Sequence, residues 1–168
     1  MVILGIDPGT ATTGYGIIKV RGQKLKIKSD IGCMDYGLIQ TNPSLTAGER
    51  LKELNNQLDG LIKRYRPDVL AVESLFFFKN AKTAVPVSQA KGVILLTAAK
   101  KKIPVYEFTP LQVKTTITGY GRAEKKQVQK MIKILLGLKE VPRSDDAADA
   151  LAIAICGARY IEKTERIC

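Results

Sequence analysis

The sequence predicts an α/β fold in which helices flank a mixed five-stranded sheet. Two nearly all-apolar runs, residues 2–6 and 68–72, have the length and composition of buried strands. Three extended segments come first, and helical and extended segments then alternate, which gives the order β-β-β-α-β-α-β-α-α. The chain has 168 residues, so we expect one domain over 1–168 that needs no disulfide or metal staple.

The first three strands occupy the N-terminal quarter of the chain. Residues 2–6 predict the first strand, and a Gly-rich turn over residues 7–10 leads to the second, residues 13–20. Residues 25–39 are interrupted by two glycines and predict a third, bulged strand. The short connections favour antiparallel pairing among these strands.

A helix and a fourth strand follow. Thr46 and Glu49 form a T-x-x-E capping box, and apolar residues then keep helical spacing as far as Tyr65. Residues 68–72 predict the fourth strand, which ends at Glu73.

The second helix is predicted to begin with Thr83 as its cap, which places Pro86 in the first turn, where no backbone donor is needed. It runs to about residue 101 and is followed by a fifth strand over residues 104–109. Apolar spacing over residues 128–136 predicts an amphipathic third helix, and the last helix covers residues 144–160.

The composition excludes several classes of function. The chain has no histidine, which removes Ser-His and Cys-His catalysis and His-ligated zinc. Its three cysteines lack C-x-x-C spacing, which argues against a redox pair and favours a reducing, cytoplasmic location. The N-terminus lacks the basic start of a signal peptide, and no apolar run approaches the ~20 residues of a membrane span, so we expect no membrane partner.

The positive charge is concentrated in one segment. The net charge is +11, and residues 79–143 carry 14 basic and 3 acidic side chains, whereas the two signs balance in the rest of the chain. A solvated lysine-rich face is one interpretation. A polyanion partner, most simply nucleic acid, explains the concentration better, because each neutralised phosphate releases counterions.

Four acids lie at the ends of predicted elements: Asp7, Glu73, Asp146 and Asp149. If the first and fourth strands are parallel neighbours, their carboxyl ends meet at one edge, where a docked last helix brings its two aspartates. Each acid alone has a structural explanation, as a turn cap, a strand end or a complement to the helix dipole. Together, in a cationic protein, they favour a pair of oxygen-ligated divalent cations that hydrolyse phosphodiesters.

Five segments carry a recognisable pattern. They are G-I-D-P-G-T at 5–10, E-S-L-F-F-F-K-N-A at 73–81, S-Q-A-K-G-V at 88–93, T-P-L-Q-V-K-T-T-I-T-G-Y-G-R-A-E-K at 109–125 and D-A-A-D-A-L-A-I-A at 146–154. In this order, and nearly end to end, they resemble the RuvC family of bacterial Holliday-junction resolvases. The first segment alone is weak, since actin-like ATPases and other RNase H-like proteins share it.

The resemblance implies an RNase H-like fold and a homodimer with its contact on the helix over 84–101. It implies Mg²⁺-dependent cleavage of four-way DNA junctions, with Mn²⁺ as a substitute and two ions per active site. Two strands of like polarity are nicked symmetrically, leaving 5′-phosphate and 3′-hydroxyl ends that a ligase can seal. The RuvA–RuvB branch-migration complex is the implied partner.

The resemblance also assigns site residues. The metal-binding acids map onto Asp7, Glu73, Asp146 and Asp149, with Asp145 as a helix-start acid that could assist, and the catalytic lysines onto Lys114 and Lys125. An aromatic residue suited to stacking at the junction centre maps onto Phe76, with Phe77 and Phe78 beside it. The DNA-binding residues expected in all are Phe76, Phe77, Lys79, Lys82, Lys114, Arg122, Lys125 and Lys126. Tyr120, in the T-G-x-G turn, and Pro86 depart from the usual pattern.

Three other functions compete with a junction endonuclease. Another RNase H-like nuclease, acting on RNA–DNA hybrids or branched nucleic acid, would share the metal chemistry but not the F-F-F segment or a two-fold partner. An actin-like nucleotide-binding protein needs a second lobe that 168 residues do not provide. A non-catalytic DNA-binding module gives no reason for the four acids.

Overall fold

The computed structural model describes residues 1–21, 31–74 and 81–165, without the side chains of 81–83 and 165. Within these ranges the elements are β1 Val2–Asp7, β2 Thr12–Val20, β3 Ile31–Gln40, α1 Ala47–Tyr65, β4 Val69–Glu73, α2 Ala81–Lys100, β5 Val105–Phe108, α3 Pro110–Thr118, α4 Lys125–Leu136 and α5 Asp145–Glu165. No helix in the described part of the chain is both long and apolar enough to cross a membrane.

The described strands form one mixed sheet of five, in the order β3-β2-β1-β4-β5. The pairs β1–β2 and β2–β3 are antiparallel, while β1–β4 and β4–β5 are parallel. The predicted α/β class and the mixed five-stranded sheet are therefore confirmed. The parallel pairing of β1 and β4 also meets the condition under which Asp7 and Glu73 share an edge.

Helices cover both faces of the sheet because successive residues of its central strands are apolar and point to opposite faces. On one face Leu4 and Leu70 lie in a buried core with residues of α1 and α2. On the other face Ile3 and Ala71 lie in a second core with α3, α4 and α5. Helix α5 is buried nearly all round between residues 147 and 158, so it is the central helix of that layer.

The bulge predicted for the third strand is present. The register between β2 and β3 shifts between Ile17, paired with Asp35, and Ile18, paired with Cys33, so Met34 is the extra residue. The part of the prediction that covers residues 25–30 lies outside the described residues.

The predicted start of α2 is wrong. The helix begins at Ala81, so Thr83 lies inside it rather than at its cap, and Pro86 is its sixth residue. Pro86 has no N–H to give to the carbonyl of Lys82, which costs the helix one backbone hydrogen bond near its start. A single loss so close to a terminus does not stop the turn before it from being helical.

Helix α3 was not predicted at all. Its N-terminus carries a T-x-x-Q capping box, in which Gln112 N–H donates to Thr109 Oγ1 and Thr109 N–H donates to Gln112 Oε1. Pro110 occupies the first helical position, and Gly119 ends the helix in the left-handed conformation. These three signals were available in the sequence and would have located the helix.

Candidate active site

Asp7 and Glu73 end two neighbouring parallel strands. The register pairs Ile6 with Val72, so one further step places Asp7 beside Glu73 at the carboxyl edge. Side chains alternate along a strand, and Gly5 faces α5, so Asp7, two residues on, faces α5 as well. Ala71 of β4 likewise faces Gly157 of α5, so Glu73, two residues on, lies on the same face, and both carboxylates are half-buried there.

Helix α5 reaches these carboxylates because the strands beneath it carry glycine. A Cβ on Gly5 would collide with the carbonyl oxygen of Ala150, and a Cβ on Gly14 would collide with that of Asp146. The helix backbone thus lies directly on β1 and β2, which a side chain at either position would prevent. This close approach sets Asp146 and Asp149 over Asp7.

We predict that Gly14→Ala destabilises the protein and displaces Asp146. Forcing a methyl group against the α5 backbone should lower the free energy of unfolding by about 3 kcal/mol, measured by urea denaturation. Gly32→Ala on β3 is the matched control, since a Cβ there meets nothing within 4 Å and the free energy should change by less than about 0.5 kcal/mol. Equal stability of the two variants would contradict the proposed packing.

The four acids form one electrostatic unit. The pKa of Asp7 is raised to about 8. Burial is the largest cause, and repulsion from Glu73, Asp149 and Asp146 adds to it. Burial also raises the pKa values of Glu73 and Asp149, against the opposing charge of Lys125. Raised pKa values are the expected response of carboxyl groups to burial and to neighbouring like charges.

The donor set of this cluster fits a hard divalent cation. Its ligands are carboxylate oxygens alone, the kind that Mg²⁺ and Mn²⁺ prefer, and their mutual repulsion is relieved when a cation binds. Across the described residues, no three acidic or cysteine side chains already form a complete set of metal ligands.

Both predicted catalytic lysines lie in the cleft beside the acids. The cleft is lined by Glu73, Asp149, Lys114 and Lys125, with apolar residues of α3, α4 and α5 completing it. Helix α3, which sequence reasoning missed, is the element that carries Lys114 there.

Lys125 links two acids at the start of α5. Its Nζ lies 3.2 Å from Asp145 Oδ2 and 3.4 Å from Asp149 Oδ2. Burial opposes its charge, but Asp149 and Asp145 outweigh it and raise the pKa of Lys125. Asp145 is exposed and accepts a hydrogen bond from Gln129 Nε2 at 2.8 Å. Its carboxylate therefore faces the rim of the cleft.

The turn after Asp7 is fixed by a buried hydroxyl. Thr13 Oγ1 donates to the Gly9 carbonyl at 2.6 Å and accepts from the Gly9 N–H at 3.3 Å. This pair ties the turn to the start of β2 and thereby holds the end of β1 in place.

The remaining predicted DNA-binding residues divide into two groups. Arg122 and Lys126 are exposed and lie close in sequence to Lys125, which lines the cleft. Phe76, Phe77 and Lys79, together with Phe78, lie outside the described residues, as does the side chain of Lys82.

One basic residue of the positive segment is not available to a ligand. Lys91 is only 9% exposed and forms an ion pair with Glu107 on β5. Its charge also opposes the raised pKa of Glu73. Its position among the apolar residues of α2 was the sequence signal for burial, and the charge count overlooked it.

Comparison with known proteins identifies a family. The family model described as "Crossover junction endodeoxyribonuclease RuvC" matches residues 3–157. A protein of that name from Alkaliphilus metalliredigens is 54% identical over 158 residues, covering 94% of this chain and 93% of that protein. The Thermus thermophilus RuvC structure has a TM-score of 0.89 at 37% identity, covering 98% of this chain and 97% of that one. T. thermophilus RuvC in complex with Holliday junction substrate has a TM-score of 0.88 at 36% identity, covering 98% and 96%.

Proposed function

Because this chain belongs to the RuvC family of crossover junction endodeoxyribonucleases, we propose that it resolves four-way DNA junctions by metal-dependent hydrolysis of phosphodiester bonds. The observation that carries the proposal is the meeting of four carboxylates and two lysines at one sheet edge of a strongly cationic chain. The similarity to T. thermophilus RuvC, whose structure holds Holliday junction substrate, supports the choice of DNA.

The metal-binding residues of the proposal are Asp7, Glu73, Asp146 and Asp149. Mg²⁺ is the proposed ion, with Mn²⁺ as a substitute and two ions per site, because the family is metal-dependent and the ligands are all carboxylates. When bound, the ions would activate water and stabilise the leaving oxygen.

Two lysines in the cleft are proposed to stabilise negative charge on the substrate. Lys114 lies in the cleft and can offset negative charge that develops on the phosphate being cut. Lys125 can do the same, and it also holds Asp149 in place through their ion pair. Arg122 and Lys126, which are exposed near Lys125 in the sequence, are proposed to bind the phosphate backbone, as are Lys79 and Lys82.

A homodimer is the proposed active form. Helix α2 presents Val85 and Leu96, which are 63% and 54% exposed, with Gly92 on the same face between them. Pairing this face with its copy removes the two apolar side chains from water and presents two sites to a two-fold substrate. Symmetric nicks in strands of like polarity, with 5′-phosphate and 3′-hydroxyl ends, then follow from the symmetry.

We predict that Leu96→Glu breaks this dimer. A carboxylate on each copy would face its symmetry mate, so the dimer should weaken by roughly thirtyfold, measured by sedimentation equilibrium. Ile134→Glu on α4 is the control, because Ile134 is similarly exposed at 48% on another helix. An unchanged dimer in Leu96→Glu would place the interface elsewhere.

Three further features belong to the proposal. The length of the chain supports a single domain over residues 1–168, and its cysteine usage supports a reducing, cytoplasmic location. The family resemblance implies cooperation with the RuvA–RuvB branch-migration complex. Phe76, with Phe77 beside it, is proposed to stack on an unpaired base at the junction centre.

A cleavage assay on three substrates tests the function. A branch-migratable four-way junction, a linear duplex and an RNA–DNA hybrid are incubated with Mg²⁺ or with EDTA. Paired, ligatable nicks in the junction alone, lost in EDTA, are the expected result. Preferential cleavage of the hybrid would replace the substrate with that of another RNase H-like nuclease.

A further inference from the structure

An exposed aromatic residue lies next to the catalytic cleft without a role in the site described above. Tyr120 belongs to the turn between α3 and α4 and is 59% exposed. Leu111, on the first turn of α3, is 61% exposed and directly follows Pro110, which lines the cleft. A Cβ on Gly121 would lie 2.5 Å from Leu111 Cδ1, so the turn folds back against Leu111. The two exposed side chains thus belong to one surface.

The turn that displays Tyr120 is held by its own hydrogen bonds. The Tyr120 N–H donates to Thr118 Oγ1 at 3.1 Å, and the Tyr120 carbonyl accepts from the Ala123 N–H at 3.1 Å. Gly119 before it has a φ of +77°, a conformation that ends α3 at little cost only because the residue is glycine. Ala123 after it is buried. A ligand that contacts the ring therefore meets a backbone that is already ordered, which lowers the entropy cost of binding.

The surroundings of this surface are cationic. Residues 110–130 contain five basic side chains and a single acid, Glu124. Arg122 is two residues beyond Tyr120, and Lys114 and Lys125 line the cleft on α3 and α4. An aromatic ring with basic residues nearby is suited to binding a nucleic-acid strand. The ring contacts bases or sugars, and the basic side chains contact phosphates.

We infer that Tyr120 is a DNA-contact residue that lays its ring on the junction strand entering the catalytic cleft. The inference rests on the proposed function and deepens it. Tyr120 orients the strand from the α3–α4 side, so that the phosphate to be cut lies between the carboxylates and the two lysines. This contact is separate from the one proposed for Phe76, which lies in the segment after β4.

Tryptophan fluorescence tests the contact directly, since the chain has no tryptophan. Tyr120→Trp introduces one fluorophore, which is titrated with a four-way DNA junction in EDTA so that no cleavage occurs. The emission should be quenched on binding and should recover when salt releases the DNA. Tyr36→Trp on β3 is the matched control, because Tyr36 is 38% exposed on the edge strand, and its emission should not change.

Affinity measurements complete the test. Tyr120→Ala should weaken junction binding roughly tenfold, since stacking on one base contributes about 1–3 kcal/mol, while Tyr120→Phe and Tyr36→Ala should bind within twofold of the parent. Parental affinity in Tyr120→Ala, or unchanged emission from Tyr120→Trp with junction bound, would overturn the inference and leave the proposed function standing. Failure of the parent chain itself to bind the junction would overturn both.

Discussion

Glu73→Gln should reduce junction cleavage at least about a thousandfold while junction binding is retained or becomes tighter. The change keeps the size of the side chain and removes one of the four charges that are proposed to hold divalent cations. It also removes a negative charge that repels the phosphates of the substrate, so binding has no reason to weaken. Single-turnover cleavage and gel-shift measurements on the same junction give the two quantities.

Glu53→Gln is the control for this substitution. Glu53 lies on α1, on the opposite face of the sheet, where its Oε2 accepts the Asn42 N–H, and an amide oxygen can accept the same hydrogen bond. Both activities of this variant should match those of the parent. Parallel loss of binding and cleavage in Glu73→Gln would remove its assigned role, because a carboxylate that holds cations is not needed to hold DNA.

The second large effect is on stability and concerns Asp7. Its pKa rises from 3.8 to about 8 on folding without a cation, so the folded chain binds more protons than the unfolded chain between those pH values. The free energy of unfolding should therefore fall as the pH increases through this range, by up to about 1.4 kcal/mol per pH unit. Below pH 4 both states are protonated, and this source of pH dependence ends.

Urea denaturation between pH 5 and pH 8 in EDTA measures this dependence. Asp7→Asn cannot ionise, so its stability should be flatter over the same range and should exceed that of the parent at pH 8. Added Mg²⁺ should stabilise the parent at pH 8 and have a much smaller effect on the variant. If the stability of the two proteins depended on pH in the same way, the raised pKa of Asp7 would be contradicted.

The sheet edge that holds the site was predictable from sequence because local pattern and chain topology agree there. Two short apolar runs, each ended by an acid, predict buried strands, and buried strands in an α/β order pair in parallel. Parallel neighbours in register leave no other place for Asp7 and Glu73 than side by side. The spacing of Asp146 and Asp149 similarly determined that both lie on one face of a helix.

Three features were not predicted: the close approach of α5, the burial of Lys91 and helix α3. The first depends on contacts between distant segments, whereas the other two had local signals in the sequence. The close approach of α5 depends on how Gly5 and Gly14 meet its backbone, which no local pattern reveals. Lys91 was counted with the other basic residues of the positive segment, although it is buried and forms an ion pair with Glu107. The capping box that starts α3 is a local sequence signal that predicts a helix. Because that helix was not predicted, the element that brings Lys114 to the cleft was missing from the expected fold.

Anomalous diffraction from crystals of the chain soaked in Mn²⁺ at pH 8 tests the central claim most directly. That claim is that Asp7, Glu73, Asp146 and Asp149 act together as one cation site. The account predicts an anomalous peak, at the manganese edge, among these four carboxylates. Peaks elsewhere, with none among the four acids in ion-soaked crystals, would contradict it.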